Sequence, residues 1–172
     1  METITFKVLW ENVFLVEFTN AGDKKGILEG RPWVFEGSLF LIEDFDGKSS
    51  SANFIFDKAT FWVRMSNLPL ACMDKETGRM LGEIVGRVED VDTDGRGVVW
   101  GEFLRVKIQM DLSKPLARGR MLKVQGKARW IPFQYERLPK FCFHCRVILH
   151  DKATCPMNVN LWHQEEVTKF GL

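Results

Sequence analysis

The sequence LRVKIQMDL, residues 104–112, alternates apolar and polar side chains without exception. Successive side chains of a β-strand point to opposite faces, so this stretch predicts a strand with one apolar face and one polar face. Strands of this kind occur in antiparallel sheets that have a core on one side and solvent on the other. We therefore expect a sheet-based fold in which the other elements surround this strand.

The segments on either side of this strand predict further strands. Thr60–Met65 alternates in the same way, and Val88–Val91 is compatible with a short strand. Met121–Val124 and Ala128–Tyr135 predict a hairpin. Residues 59–138 therefore form a predicted β-α-β-β-β unit, in which one helix packs on a mostly antiparallel sheet.

The helix of this unit is predicted from the spacing of its apolar residues, which recur every three or four positions and define one buried face. Gly86 provides a stop after that face. The face consists of Met73, Thr77, Met80, Leu81, Ile84 and Val85.

The N-terminal residues predict a second, smaller unit. Ile4–Leu9 and Val13–Phe18 predict a hairpin, Ala21–Leu28 predicts a helix, and Trp33–Phe35 and Ser38–Phe45 predict two more strands. The resulting β-β-α-β-β order is an incomplete version of the split β-α-β arrangement of RNA-recognition domains, because it lacks a preceding strand and helix. An incomplete sheet leaves an edge or an apolar face that a protein partner or self-association would cover.

Charge is distributed unevenly along the chain, although the formal net charge is only +1. Residues 1–100 contain 11 basic and 17 acidic residues, whereas residues 101–172 contain 13 basic and 6 acidic residues. The basic excess lies mostly in residues 103–152, with 12 basic and 3 acidic residues. This distribution favours an anionic partner for the C-terminal half.

Cysteine spacing identifies the candidate metal site. Cys142, Cys145, His150 and Cys155 have the spacing C-x2-C-x4-H-x4-C, and three thiolates with one imidazole complete the tetrahedral shell of one Zn²⁺ per chain. A closed shell has no position for a water molecule or substrate, so we expect a structural site. His144 is an alternative ligand, although its place between the two cysteines favours a surface or stacking role.

The sequence around this site resembles a known family. Residues 135–142, YERLPKFC, lead into the segment with the four metal ligands. Residues 28–33, LEGRPW, and residues 61–64, FWVR, lie further upstream. Together these segments resemble plant retrotransposon-type proteins, in which a domain of unknown function called DUF4283 precedes one CCHC zinc knuckle. The resemblance implies zinc and nucleic-acid binding, with descent from the gag-like protein of a non-LTR element. Arg146 and Leu149 depart from the family, which usually has glycine at these positions.

The predicted fold class is thus α+β, with two small RRM-like or ferredoxin-like units followed by a zinc knuckle. The predicted parts are the incomplete unit 1–45, a linker 46–58, the basic unit 59–138, the CCHC knuckle 139–157 and a tail 158–172.

Single-stranded RNA or DNA, bound with low sequence selectivity, is the expected partner. Zinc knuckles stack unpaired bases on exposed aromatic groups while nearby cations hold phosphates. Phe143 is the expected stacking residue, helped by Val147, Ile148 and Trp162; the alternative is that Phe143 packs on the chain around the metal site. The cations share one sheet face only if the predicted hairpins pair in a particular register; the alternative is a solvated polar face. The nucleic-acid-binding candidates are Phe143, Arg105, Lys107, Lys123, Lys127, Arg129, Arg137, Lys140 and Arg146.

Other aromatic residues and Cys72 are expected to have structural roles. We expect five tryptophans to pack in the core or at interfaces instead of forming a base-stacking row. Cys72 is expected to be a buried or half-buried thiol without a basic partner. The five tryptophans are Trp10, Trp33, Trp62, Trp100 and Trp130.

Catalysis is not expected, because the chain contains no phosphate-binding loop, dinucleotide-binding glycine pattern, nucleophile elbow or His-Glu-x-x-His pair. No small-molecule substrate and no membrane span are predicted, and we expect an intracellular protein, with the nucleus favoured over the cytoplasm. The alternative function is a protein-interaction adaptor in which the zinc knuckle is purely structural.

Overall fold

The computed structural model describes residues 4–48, 55–150 and 155. The fold is mixed, with α-helices and mostly antiparallel strands, and it ends in a zinc-knuckle region. The elements are β1 (Thr5–Trp10), β2 (Val13–Glu17), α1 (Ala21–Glu29), β3 (Trp33–Phe35), β4 (Ser38–Phe40), β5 (Lys58–Ser66), a 3₁₀ turn (Leu70–Cys72), α2 (Lys75–Gly82), β6 (Arg87–Asp92), β7 (Phe103–Asp111), β8 (Gly119–Val124) and β9 (Lys127–Tyr135).

A five-stranded sheet of order β6-β7-β5-β9-β8 forms the centre of the molecule. Every neighbouring pair in it is antiparallel. Because β7 lies between β5 and β6, the segment β5-α2-β6 is a split β-α-β unit. Between β7 and β9 the described chain forms β8, with no second helix.

The core lies on one face of this sheet, as the alternation of residues 104–112 predicted. The apolar residues of β7, such as Val106 and Ile108, are fully buried, and Phe61 and Val63 of β5 are buried beside them. Ile131 of β9 extends the same core. The predicted core strand is thereby confirmed as β7.

Helix α2 covers part of this core, but it is shorter than predicted and ends at Gly82. Met80 and Ile84, assigned to its buried face, are 49% and 42% exposed, so that assignment is wrong. The buried residues of the helix are Gly78, Leu81 and Gly82. A β-carbon on Gly82 would lie 2.6 Å from Val88 Cγ2, so the helix approaches the sheet through its glycines and not through Met80.

The N-terminal elements do not form the single sheet-plus-helix unit that we predicted. β1 pairs with β2 and β3 pairs with β4, in two separate two-stranded sheets. Helix α1 begins after Asn20, whose side chain accepts a hydrogen bond from the Gly22 amide, but it buries no residue. A helix without a buried face cannot hold two hairpins in one layer. Strand β4 also ends at Phe40 and not at Phe45.

The second hairpin is nevertheless attached to the main core. Leu39 and Leu41 pack against it, and the Arg137 side chain donates a hydrogen bond to the Gly30 carbonyl at 3.0 Å. Part of the predicted linker 46–58 lies outside the described residues. The predicted tail 158–172 lies outside them entirely. No helix in the described ranges is long and apolar enough to cross a membrane.

None of the five tryptophans is buried in the core, so the core part of that expectation is wrong, while packing at interfaces stays a prediction. Trp100 is 74% exposed and Trp130 is 46% exposed, while Trp62 is half-buried on the open face of the sheet. Neighbouring residues of a strand point to opposite faces, and Trp62 and Trp130 are next to the buried residues Phe61 and Ile131. These two tryptophans therefore point away from the core. Cys72 is half-buried, as predicted.

Limited proteolysis should cut within β1–β2 before it cuts the five-stranded sheet. All six residues of β1 are exposed, and an isolated two-stranded hairpin is only marginally stable in water. The first cleavage sites are to be identified by mass spectrometry of the early fragments. Equal resistance of residues 4–48 and 59–138 would contradict the prediction.

Replacing Gly86 with alanine should lower the free energy of unfolding by about 1–3 kcal/mol. A β-carbon there would overlap the carbonyl oxygen of Gln109, a backbone atom of β7 that cannot rotate away. Gly26→Ala in α1 is the control, because its β-carbon would meet nothing within 4 Å. Urea unfolding of both variants measures the effect, and equal stability of Gly86→Ala and the unmodified chain would refute it.

Candidate metal centre

The four predicted ligands form a compact group at the end of the described chain. The ligand atoms of Cys142, Cys145, His150 and Cys155 all lie within 4.8 Å of one another. Cys145 Sγ is 2.9 Å from His150 Nε2. Three sulfurs and one nitrogen are the donor set that zinc prefers in closed tetrahedral sites. This CCHC group can hold one zinc ion, which confirms the expected cofactor.

A tight turn brings the first two cysteines together. The Cys142 amide donates to the Val147 carbonyl at 2.9 Å, and the Arg146 amide donates to the Cys142 carbonyl. Arg146 has φ +63°, in the left-handed region where glycine is preferred. Glycine would adopt this conformation without strain, so Arg146 holds the turn at a conformational cost.

Local electrostatics favour the thiolate form that binds metal. Burial of the Cys142 thiol opposes ionisation, but hydrogen bonds from the backbone amides of Cys145 and His144 lower its pKa to about 7. Cys142, Cys145 and Cys155 are buried, and His150 is half-buried. His144 is exposed and does not belong to the ligand group.

The knuckle is packed against the five-stranded sheet. The Leu116 amide, just before β8, donates to the Arg146 carbonyl at 2.9 Å. Leu138, Phe141 and Ile148 pack against the main core. The backbone amide of Lys140 donates to the Gly37 carbonyl at 2.7 Å, which adds a contact to the β3–β4 turn. The position of the metal site relative to the sheet is therefore defined by both hydrogen bonds and apolar packing.

Phe143 is the aromatic residue that this packing leaves open. It lies between the two cysteines of the turn and is 73% exposed, with its ring centroid 4.9 Å from that of Phe141. Val147 is buried, so it cannot serve as the stacking helper that we expected, whereas Ile148 is half-buried against the core and its helper role stays a prediction. Trp162, the third expected helper, lies outside the described residues.

Arg105 is engaged within the protein. Its Nε and Nη2 atoms donate to the two carboxylate oxygens of Glu136 at 2.9 and 2.8 Å, and its guanidinium lies 4.1 Å from the Trp62 ring centroid. The Arg105 hydrogen bonds lower the pKa of Glu136, which is also bonded by Arg64 at 2.7 Å. Lys107 lies over the same ring at 5.9 Å. Arg105 therefore stabilises the open face and is not a free phosphate ligand.

Glu136 was not among the predicted site residues, although the sequence contained a signal for it. It is the single acidic residue between Asp111 and Asp151. A lone carboxylate in a strongly basic segment is expected to find a cationic partner.

The predicted cations do not share one face of the sheet. In the β8–β9 hairpin Lys123 is opposite Ala128, whereas Lys127 is opposite Val124 and Arg129 is opposite Leu122. Directly paired residues point to the same side of an antiparallel sheet, so Lys123 is on the face opposite to Lys127 and Arg129. The two-residue turn causes the difference, because it pairs odd positions of β8 with even positions of β9.

The remaining three candidates lie near the knuckle. Lys140 is exposed beside Gly37, and Arg146 is half-buried in the cysteine turn. Arg137, with φ +53°, directs its guanidinium to the Gly30 carbonyl. Lys140 and Arg146 are thus the candidate cations nearest in sequence to the exposed ring of Phe143.

Comparisons with known proteins agree with the metal site. The family described as zinc knuckle matches residues 110–157, a segment that includes β8, β9 and all four ligands. The uncharacterized protein At4g02000 of Arabidopsis thaliana is 25% identical over 138 residues. That alignment covers 78% of this chain, and the chain spans only 42% of the length of the relative. No solved structure matches the chain.

Purified protein should contain one zinc ion per chain, and Cys145→Ser should lose it because a hydroxyl replaces one of the thiolates. Cys72→Ser is the control, since Cys72 lies outside the ligand group and should leave the zinc content unchanged. Metal analysis of the three proteins tests the assignment. A zinc content near zero in the unmodified chain would overturn it.

Proposed function

We propose that this chain binds single-stranded RNA or DNA through its zinc knuckle, with low sequence selectivity. The observation that carries the proposal is Phe143, 73% exposed on the turn between two metal ligands. A flat ring held on a rigid turn provides a stacking surface for any unpaired base, because every base has a π face.

Positive charge around the ring supplies the phosphate contacts in this proposal. Lys140 and Arg146 flank Phe143 in sequence, and residues 103–152 contain 12 basic and 3 acidic residues. Contacts between these cations and phosphates release counterions, so the affinity should fall as the salt concentration rises.

The topology of the central sheet also supports a nucleic-acid partner. The open face of the sheet, however, does not offer a surface for base stacking. The split β-α-β order is shared with RNA-recognition domains, which stack bases on the open face of the sheet. Here the guanidinium of Arg105 covers the Trp62 ring on that face. We therefore assign base stacking to Phe143 and an RRM-like ancestry to the sheet.

Descent from a retrotransposon gag-like protein is part of the proposal. The similarity to the Arabidopsis protein covers 138 residues, far more than the knuckle, which supports a shared domain of the DUF4283 kind before the metal site. We also propose that the zinc is structural and the protein not an enzyme, since four protein ligands leave no position for a substrate.

A protein-interaction adaptor is the second candidate, and the β1–β2 hairpin favours it. Phe6 pairs with Val16 and Val8 pairs with Phe14, which gives an apolar face in which Phe6 and Val8 are 66% and 73% exposed. Exposed apolar patches of this kind occur at protein-binding sites.

Phe143→Ala should weaken binding to a short labelled oligouridylate by about 1–3 kcal/mol if a base stacks there, and should leave the salt dependence unchanged because no charge is removed. Phe6→Ala, which removes a similarly exposed ring from the β1–β2 hairpin, is the control and should bind normally. Fluorescence anisotropy measures both. Normal binding by Phe143→Ala would favour the adaptor.

A further inference from the structure

The β8–β9 hairpin is a strongly basic ribbon that extends from the edge of the sheet. Between Asp111 and Glu136 the sequence contains six basic residues and no acidic residue. Residues 125–130 are all exposed. Arg120, Lys127 and Arg129 form no ion pair with any residue in the described part of the chain. Their charges are therefore available to an external anion.

These three cations lie on one face of the ribbon. Arg120 is opposite Ile131, while Arg129 and Lys127 are opposite Leu122 and Val124, at every second position along β8. Residues two apart on a strand point to the same side, so this face, which we call the ribbon face, also contains Ile131. Lys123 lies on the opposite side, with Trp130 and Met121.

The ribbon face and the zinc knuckle are on the same side of the sheet. Ile131 and Phe133 place the ribbon face on the core side, because both belong to the main core. Phe141 and Ile148, which flank the cysteine turn, pack against that same core. The hydrogen bond from the Leu116 amide to the Arg146 carbonyl connects the knuckle to the base of β8.

The spacing of these cations matches a nucleic-acid backbone. Arg129 and Lys127 are two residues apart on β9, which is roughly 7 Å along an antiparallel strand, and Arg120 of β8 lies one such step further along the ribbon, opposite Ile131. Consecutive phosphates of a stretched single strand are separated by a similar distance. A row with this period can contact successive phosphates of one strand.

We infer that a single strand held at Phe143 continues along the ribbon face, where Arg120, Arg129 and Lys127 bind its phosphates. This inference rests on the proposed function, and it adds the path and the minimum length of the ligand. Base stacking at Phe143 requires an unpaired strand, so the ligand is single-stranded where it meets the knuckle. Lys123, Arg105 and Lys107, on the open side of the sheet, take no part.

The test compares a double variant, Lys127→Gln with Arg129→Gln, with the single variant Lys123→Gln. All three side chains are exposed, so neither variant removes core packing. Fluorescein-labelled oligouridylates of about 4 and about 16 nucleotides, the range of known single-strand site sizes, are titrated across a salt series with each zinc-loaded protein. Circular dichroism melting verifies that each variant is folded.

With the long oligonucleotide, the double variant should reduce the slope of log affinity against log salt by about 1.4, since each phosphate contact contributes about 0.7. Lys123→Gln should leave that slope unchanged, and the short oligonucleotide should bind all three proteins equally. An equal loss in Lys123→Gln, or no change in the double variant, would overturn the inference while leaving binding at Phe143 intact. Preference for a duplex over the long single strand would also overturn it. Failure of the short oligonucleotide to bind at all would instead refute the proposed function.

Discussion

The antiparallel pairing of β5 with β7 is the constraint on which the rest of the structure depends. The two strands pair over nine consecutive residues, from Lys58 opposite Asp111 to Ser66 opposite Phe103. A shift of either strand by one residue would move all of its side chains to the other face, so that Trp62 would replace Phe61 in the core, or Arg105 would replace Val106. Burying those polar and bulky groups without partners would be costly, so the hydrophobic alternation fixes the register.

This pairing also separates two kinds of positive charge. On the open side, Arg105 and Arg64 are both ion-paired with Glu136, and the Arg105 guanidinium lies over the Trp62 ring. The ribbon face is on the other side of the sheet, the side of the core, and extends past the last buried residue of β9. Its cations, Arg120, Arg129 and Lys127, have no acidic partner in the described chain. The zinc knuckle packs against the core on that second side, so the metal site and the available charge are on the same side of the sheet. Because the knuckle is anchored to the sheet by Leu116 and Phe141, zinc loading should order the surface that presents Phe143.

Local pattern predicted much of this structure. The alternation of β7 and the spacing of the four ligands were sufficient to identify the core strand and the metal group, because each depends on nearby residues. Three features depended on strand pairing or helix packing that the sequence did not specify. The two-residue hairpin turn placed Lys123 on the face opposite to Lys127. In α2, glycines and not Met80 lie at the buried face. The N-terminal strands formed separate hairpins because α1 offers no apolar face to join them.

In the proposed function, the metal-held turn presents the base-binding surface. The most direct measurement is the affinity for a labelled oligouridylate as zinc is removed with a chelator and then restored, with the zinc content determined at each step. Binding should fall in proportion to zinc content and return when zinc is added, because the knuckle folds only around its metal. Full affinity in the metal-free protein would contradict it.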